Sequence, residues 1–557
     1  MADIPSRAKR YRIDRPGILA AGESAVDLEA LATQIDRMAA IGTESEDGEA
    51  QPAAELVEKL SNKQDGMHTL VVDMTEEAVQ ELKDRHGEGI RILEDDIGLE
   101  LFAAPASMQE RIAAFATLNV VPLGDQALTF AIKVVDPEGA PLPLARVSLY
   151  GEMWDDEGVT DDDGLVSLTL FGETPDTLRT LAVKPARDHW GLRIERPALT
   201  PNSTTDVTVQ PLYDGTAFPD QQVIGWAKTA MKLDRPLPSP GPVKLAIIDS
   251  GVDGAHPDLA TSGGRDFGDT SRPNQSWKED ASGHGTHVAG ICAATDNAIG
   301  VLGGAAKGAK VYGLRVFPGA RVSKLLAALD WCIDQKVDVA NMSLGTTVDD
   351  PGFHDRIQAA RRAGVLLVAA AGNSAGPVAF PAAYPEVMAV AAIGKRGTFP
   401  DNSPHQGHVP SGSSAEAGDY FAAGFTCFGP EIDLCANGVA VVSTVPGGGY
   451  LPMDGTSMAS PQIAGFAARL LQADKTLRNL PRDEARVQAL WDAILATCTD
   501  LGLPATLQGR GMPVFPAEGA VVTTRPNPSE DTTARLKDLL GTLNEAIEAI
   551  DGELARA

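Results

Sequence analysis

The chain predicts an α/β fold, a mainly parallel sheet with helices on both faces, preceded by a small α+β domain and an antiparallel β-sandwich. Three observations carry this. From Val243 onward, continuously apolar strands ("VKLAIID", "KVYGLRV", "VDVANMSLG", "GVLLVAAAGN", "VMAVAAIG") alternate with helical stretches ("HGTHVAGICAA", "VSKLLAALDWCIDQ", "FHDRIQAARRAG"), the pattern of a sheet buried on both sides. Residues 127–210 instead hold short alternating strands between turn clusters. The low aromatic content (5%), with 56 Gly and 38 Pro in 557 residues, fits α/β units joined by many turns. A chain of this length holds two to four domains.

Taken in order, residues 1–66 read as an acidic, partly disordered region with a weak helix from Val26 to Ala40 and a flexible linker, "EDGEAQPAA". Residues 67–105 form a small α+β unit: the strand "HTLVVDM", a helix capped by Thr75, then the strands "GIRILED" and "IGLELFA". The sandwich spans 120–212. Within it, "TDDDGLVSL" reads as a hairpin turn rather than a calcium loop, because Asp-Gly between strands is first of all a turn signal. The α/β domain occupies 220–522. Residues 523–557 form a linker and an amphipathic helix. Its Leu536, Leu540, Leu543, Ile547, Ile550 and Leu554 make a short a/d seam, which suits self-association and packing on its own domain equally.

The formal net charge of −29 repels phosphate backbones and excludes nucleic acid as a partner. The N-terminus lacks the apolar core of a secretory signal, and no run of eighteen apolar residues exists, so no membrane partner is expected. Five scattered cysteines read as reduced thiols, and the chain as cytoplasmic.

In open parallel sheets ligands sit beyond the carboxyl ends of the strands. Asp249 closes "VKLAIID", Asn373 follows "VLLVAAAG", and Ser457 stands on a Gly-Thr-Ser turn opening a helix. Singly these are a capping Asp, a turn Asn and an N-cap Ser. Together with "GHGTHVAG" between them they are an acyl-transfer set: serine is a poor nucleophile until an imidazole takes its proton, and a carboxylate must fix the imidazole tautomer. A zinc pair of His284 and His287 is not favoured, because zinc hydrolases with helical histidines need a nearby Glu and "HGTH" has only small residues between.

Through "AIIDSGVDGAHPDL", "GHGTHVAG", "NMSLG", "AAAGN" and "GTSMASP" the chain resembles the subtilisin-like serine proteases (subtilases), over roughly Gln221 to Val522. The resemblance implies a serine endopeptidase acting on protein or peptide substrates, with Asp249 orienting, His284 the general base, Ser457 the nucleophile and Asn373 the oxyanion donor. His287 is then structural packing. Ser343, Leu344 and Gly345 are implied to pair with extended substrate, and Ala371 and Gly372 to wall a primary pocket floored by Ala379. It also implies a structural Ca²⁺ held by Asp258, Asn297, Thr295, Ile299, Val301 and Gln222. The pocket walls carry no charge, so the residue before the cleaved bond should be apolar, and Ala379 should favour Leu or Met over Phe or Tyr.

Three departures qualify this. "FPGARVSKLLAALDW" is short, which predicts a curtailed outer substrate edge. The insertion Thr398 to Gly424 can gate the site. Residues 68–104 resemble the inhibitory, zymogen-forming prodomain of the family, but the sandwich behind them departs from its usual position, where the prodomain tail feeds straight into the active site. A dedicated processing protease for one partner protein, and a catalytically silent peptide-binding scaffold, are the alternative readings.

Overall fold

The computed structural model describes residues 8–14, 27–39, 42–44, 50–52, 54–86, 90–102, 127–269 and 271–517. The C-terminal seam, Leu536 to Leu554, lies outside the described residues.

The strand Lys244–Asp249 stands at the centre of the main sheet, between Lys310–Arg315 and Val339–Met342, parallel to both. Thr261–Asp266 lies beyond Lys310–Arg315, while Leu366–Ala370, Met388–Lys395 and Leu434–Asn437 continue the parallel order on the other side. Only the far edge, Tyr420–Ala422 and Glu416–Ala417, runs antiparallel. Leu245, Ala246, Ile247 and Ile248 are all fully buried, as a central strand covered on both faces requires. This is the α/β sheet that the apolar strands predict. Asp249 and Ala370 close parallel strands at the same end of the sheet, with Val339–Met342 between them. Helices His284–Ala293 and Thr456–Ala473 are buried through almost their whole lengths, which their small residues permit.

The N-terminal unit is larger than the expected 67–105. Lys9–Asp14 and Ala54–Asn62, from the region expected to be disordered, both pair antiparallel with Gly66–Met74, and Arg91–Glu94 pairs with Lys9–Asp14. The helix Leu28–Ala39 adds Leu28, Leu31 and Ile35 to the same core as Leu70 and Val72. Long-range strand pairing orders a polar segment that local composition reads as loose. Thr75 does cap the following helix, its Oγ1 accepting from Ala78 N at 3.3 Å.

Residues 127–212 form two sheets around one core. Asp155–Val159, Arg146–Tyr150, Thr180–Lys184 and Leu192–Glu195 are antiparallel throughout. In the second sheet, Leu165–Phe171 is antiparallel to Ala127–Val135, but Thr204–Thr208 is parallel to it. The module is therefore not wholly antiparallel. Phe130, Val147, Leu168 and Leu181 are buried between the sheets. The Asp161–Leu165 turn is a turn, with Asp161 Oδ1 accepting from Asp163 N (3.0 Å) and Leu165 N (2.9 Å). It is not a hairpin, because the strands on its two sides belong to different sheets.

All five cysteines are unpaired. No described helix is long and apolar enough to cross a membrane.

Candidate active site

Asp249 leaves the central strand fully buried, and its Oδ1 accepts from Ser250 N at 2.7 Å and lies 2.7 Å from His284 Nδ1. That contact assigns the proton to Nδ1 and leaves the Nε2 lone pair free. His284 is the first residue of its helix and is 4% exposed, and its Nε2 is buried with no hydrogen-bond partner. A base held in one tautomer with an unused lone pair is ready to accept a proton. His287, one turn on, is fully buried and meets Leu451 O through Nε2 at 2.9 Å. Burial pushes its pKa down to about 3, so it stays neutral and packs, as expected of a structural histidine.

Ser457 follows the turn at Gly455, whose φ of 146° only glycine adopts without strain. Its Oγ donates to Ser343 O at 2.9 Å rather than to His284. Asn373 is fixed from behind. Its Oδ1 accepts from Thr456 N (2.9 Å) and Thr456 Oγ1 (2.8 Å), so the amide nitrogen is forced to face the other way. Gly372, at φ 114°, lets the chain turn tightly there, where a Cβ would meet Cys427 Sγ at 2.8 Å.

What that amide nitrogen meets is the chain's own Phe102. Asn373 Nδ2 donates to Phe102 O at 2.5 Å, and Ser457 N donates to the same oxygen at 3.3 Å. Phe102 N donates to Ser343 O at 3.3 Å. Glu100–Leu101 pairs antiparallel with Leu344–Gly345, in the register Leu101 with Leu344 and Glu100 with Gly345. On the opposite side Gly98 bridges Arg321, and Leu99 N donates to Ala320 O at 3.2 Å. The outer edge is thus reduced to a single bridge, though still present. The segment "IGLELF", expected as a strand of the small α+β unit, lies in the cleft of the α/β domain instead. The expected departure from a tail fed into the active site is corrected: the module at 127–212 does not prevent it, because Phe102 already occupies the cleft before the module begins.

The Phe102 ring packs with Ala370 and Ala379. A Cβ on Gly345 would come within 2.5 Å of that ring, so glycine makes the room there. The pocket is apolar, yet it holds phenylalanine, which corrects the expectation that Ala379 shortens the slot against Phe. Phe102, Thr456 and Ala320 were not singled out from sequence. An apolar Leu-Phe ending at the close of the small unit is the signal that marks Phe102.

The insertion at Thr398 to Gly424 supplies Pro404 and His405 to the wall of a cavity beside His284. Its His405 lies 2.7 Å from Asp454 through Nδ1, and His408 3.3 Å, three residues before Ser457. The two imidazoles hold the Asp454 carboxyl far below its usual range against the opposing effect of burial.

The implied calcium donors also converge. Gln222 Nε2 lies 3.0, 3.4 and 3.5 Å from the carbonyl oxygens of Thr295, Ile299 and Val301. Asp258 is fully buried, with Oδ1 unpartnered, and burial pushes its carboxyl up to about 7. Asn297 Nδ2 donates to Pro257 O at 3.3 Å, next to it. No cluster of three His, Cys, Asp or Glu fit for a metal occurs among the described residues. The donor set is carbonyl and amide oxygen with one under-compensated carboxylate, which fits a hard cation. Turning the Gln222 amide over presents its oxygen to the same place.

Comparison with known proteins agrees with this geometry. The model of the subtilase family matches residues 241–512. The chain is 38% identical to Subtilisin NAT of Bacillus subtilis subsp. natto over 269 residues, 47% of this chain and 61% of that protein. It is 38% identical to Subtilisin of Bacillus pumilus over 269 residues, 85% of that protein. With Subtilisin Savinase of Lederbergia lenta it shares 37% over 242 residues, 79% of that protein. The chain spans about three fifths of the length of Subtilisin NAT and of Subtilisin E.

Proposed function

The chain belongs to the subtilase family, and from that premise we propose that it is a serine endopeptidase, regulated by its own N-terminal domain, whose first substrate is its own Phe102–Ala103 bond. The observation that carries this is the Phe102 carbonyl, which accepts from both Asn373 Nδ2 and Ser457 N while its residue hydrogen-bonds to Ser343 as a substrate strand would.

In this reading Ser457 Oγ turns from Ser343 O toward His284 Nε2, gives up its proton and bonds to the Phe102 carbonyl carbon. The oxyanion gains the two donors already aimed at it. Asp249 steadies the imidazolium through Nδ1. His284 then returns the proton to the Ala103 nitrogen as the C–N bond breaks, leaving an ester between Ser457 and Phe102. Water, deprotonated by the same imidazole, hydrolyses that ester. Residues 1–102 are then a separate fragment whose tail still fills the cleft as a product inhibitor. Substrates carry an apolar residue before the cleaved bond, phenylalanine included.

Asp258, Asn297 and Gln222 side chains with the Thr295, Ile299 and Val301 carbonyls would hold a structural Ca²⁺, which ties the loop after the histidine helix to the strand side of the domain. A chelator should lower the melting temperature, and Asp258→Ala should remove most of that response. Identical melts with and without chelator, in protein shown to hold no metal, end the calcium assignment. Residues 127–212 act as a β-sandwich module fixed to the catalytic domain. The unpaired thiols support a reducing, cytoplasmic setting.

A serine-directed phosphonate, followed by mass spectrometry, tests the activity: label on Ser457 is expected, and absence of label supports the silent scaffold. N-terminal sequencing of the purified chain should begin at Ala103. A different new N-terminus separates cleavage by another enzyme from self-cleavage.

A further inference from the structure

A cavity of about 570 Å³ opens beside His284, and half of its wall comes from the β module rather than from the catalytic domain. The catalytic side contributes His284 and the run Leu451 to Asp454, which ends just before the Gly-Thr-Ser turn. The module contributes Arg146, Ser148, Ala182 and Lys184. Of the acyl-side tail only Leu101, next to Phe102, borders it, and none of the residues that grip the tail (Ala320, Arg321, Ser343, Leu344, Gly345) lines it. Phe102 O fixes where the cleaved carbonyl sits, and His284 must protonate the amine that departs. A cavity that touches His284 and the approach to Ser457, yet misses the acyl-side edges, is where the departing segment goes.

The module's strand alternation explains how its wall is built. In Arg146–Tyr150 and Thr180–Lys184, the residues Val147, Leu149, Leu181 and Val183 are buried in the module's own core. Their alternates therefore face outward, and Ser148 lies opposite Ala182 while Arg146 lies opposite Lys184. The small pair leaves room, and the cationic pair stands in register. Like charges directly opposite one another destabilise a sheet. Glu157 answers Arg146 at 3.0 Å, whereas Lys184 is exposed. The one carboxylate lining the cavity, Asp454, is already held by His405 and His408. The cavity thus has an apolar floor (Pro404, Leu451, Met453) and a cationic rim, where Arg146 is shared with Glu157 and Lys184 is exposed.

We infer that the outward sheet face of the β module is the leaving-side substrate wall of this protease, and that Arg146 and Lys184 select substrates with an acidic side chain a few residues after the cleaved bond. This rests on the endopeptidase reading above. Charge complementarity commits the face to an acidic peptide.

The test uses protein purified from the full chain and internally quenched peptides, identical up to Phe at the cleaved bond, with Glu, Gln or Lys at each of the first four leaving positions. The quantity read is the ratio of kcat/KM for Glu over Lys at each position, within one enzyme at a time. That ratio should exceed unity by about three- to tenfold at one or more positions, fall toward unity in Lys184→Gln and Arg146→Gln, and invert in Lys184→Glu. A purely structural role for Lys184 would shift all three peptides alike and leave the ratio fixed. Hydrolysis without charge preference, or a preference that Lys184→Glu leaves untouched, overturns the proposal alone. No hydrolysis of any peptide overturns the endopeptidase reading and this proposal with it.

Discussion

The N-terminal domain and the β module both lean on the catalytic domain, but with different side chains. Across the first contact run charges. Arg12, fully buried, meets Asp350 and, at 3.4 Å, Asp95; Asp95 in turn accepts from Ser323 Oγ at 2.6 Å. His68 Nε2 and Asn62 Nδ2 each lie 2.8 Å from Asp330, and Arg356 reaches Asp65 at 2.8 Å. Across the second contact run rings and main chain. Trp190 stands edge-on to His405, and Phe218, on the exit from the module, packs on Tyr450. Asp188 N donates to Tyr450 O at 2.8 Å, and Arg193 N to Asn402 O at 2.8 Å.

The difference bears on which piece can leave. Buried ion pairs are nearly balanced by the desolvation they cost, so once separated each charge regains water and little net stability is lost. Aromatic surface has no such alternative in water. The charged contact suits a domain that is shed after cleavage, and the aromatic contact suits one that stays.

The largest effect that sharpens this comparison is Ser457→Ala. Peptide hydrolysis should fall about 10⁶-fold, the known scale for a subtilisin nucleophile, and intact-mass measurement should find the chain uncut, with both domains retained. Shedding of residues 1–102 by that variant would mean another enzyme makes the cut. Next, Asn373→Ala should lower kcat about 10²–10³-fold, the known magnitude for loss of this donor in a subtilisin, with KM nearly unchanged. A raised KM with normal kcat would refute the donor's role.

Two matched variants then probe the contacts themselves. Arg12→Met leaves Asp95 and Asp350 buried without their cation and should weaken docking of the N-terminal domain by about 3–5 kcal/mol, read as a loss of inhibition in trans. Trp190→Ala should instead destabilise the mature protein by about 3–5 kcal/mol in a denaturant melt. If Arg12→Met leaves inhibition in trans intact and Trp190→Ala leaves the mature protein's melt unchanged, the division of roles fails.

The smallest effect is the acid response of the catalytic domain, the baseline for any pH dependence of docking. His287 has its folded pKa lowered by burial to about 3 from 6.5. Between those values the unfolded chain binds the extra proton, so stability is full above pH 6.5 and declines as pH falls toward 3. The loss from this residue should be roughly 1–2 kcal/mol between pH 6.5 and 5, and His287→Gln should flatten it. An unchanged slope would show that His287 is not the group responsible.

Much of this was legible in the residues. Motif order named Asp249, His284, Asn373 and Ser457 because each stands at a strand end or helix start that local pattern identifies. The proposed calcium donors came from the resemblance to the subtilases, and Gln222 and Asp258 lie outside the loop that holds the others. The strand Lys9–Asp14 was missed because its partner, Gly66–Met74, is more than fifty residues away and polar alternation without a visible partner reads as loop. The parallel pairing of Thr204–Thr208 was missed for the same reason.

The sequence by itself named the candidates for attack, proton transfer and oxyanion donation, because residue type and its place on a strand or helix end are local properties. Tertiary structure alone decided who occupies the site and what surrounds it. Phe102 reaches Asn373 across 271 residues of chain, and Lys184 reaches the cavity beside His284 only because one sheet turns its outer face to the cleft. Such contacts depend on how whole domains pack, and no short-range periodicity records that.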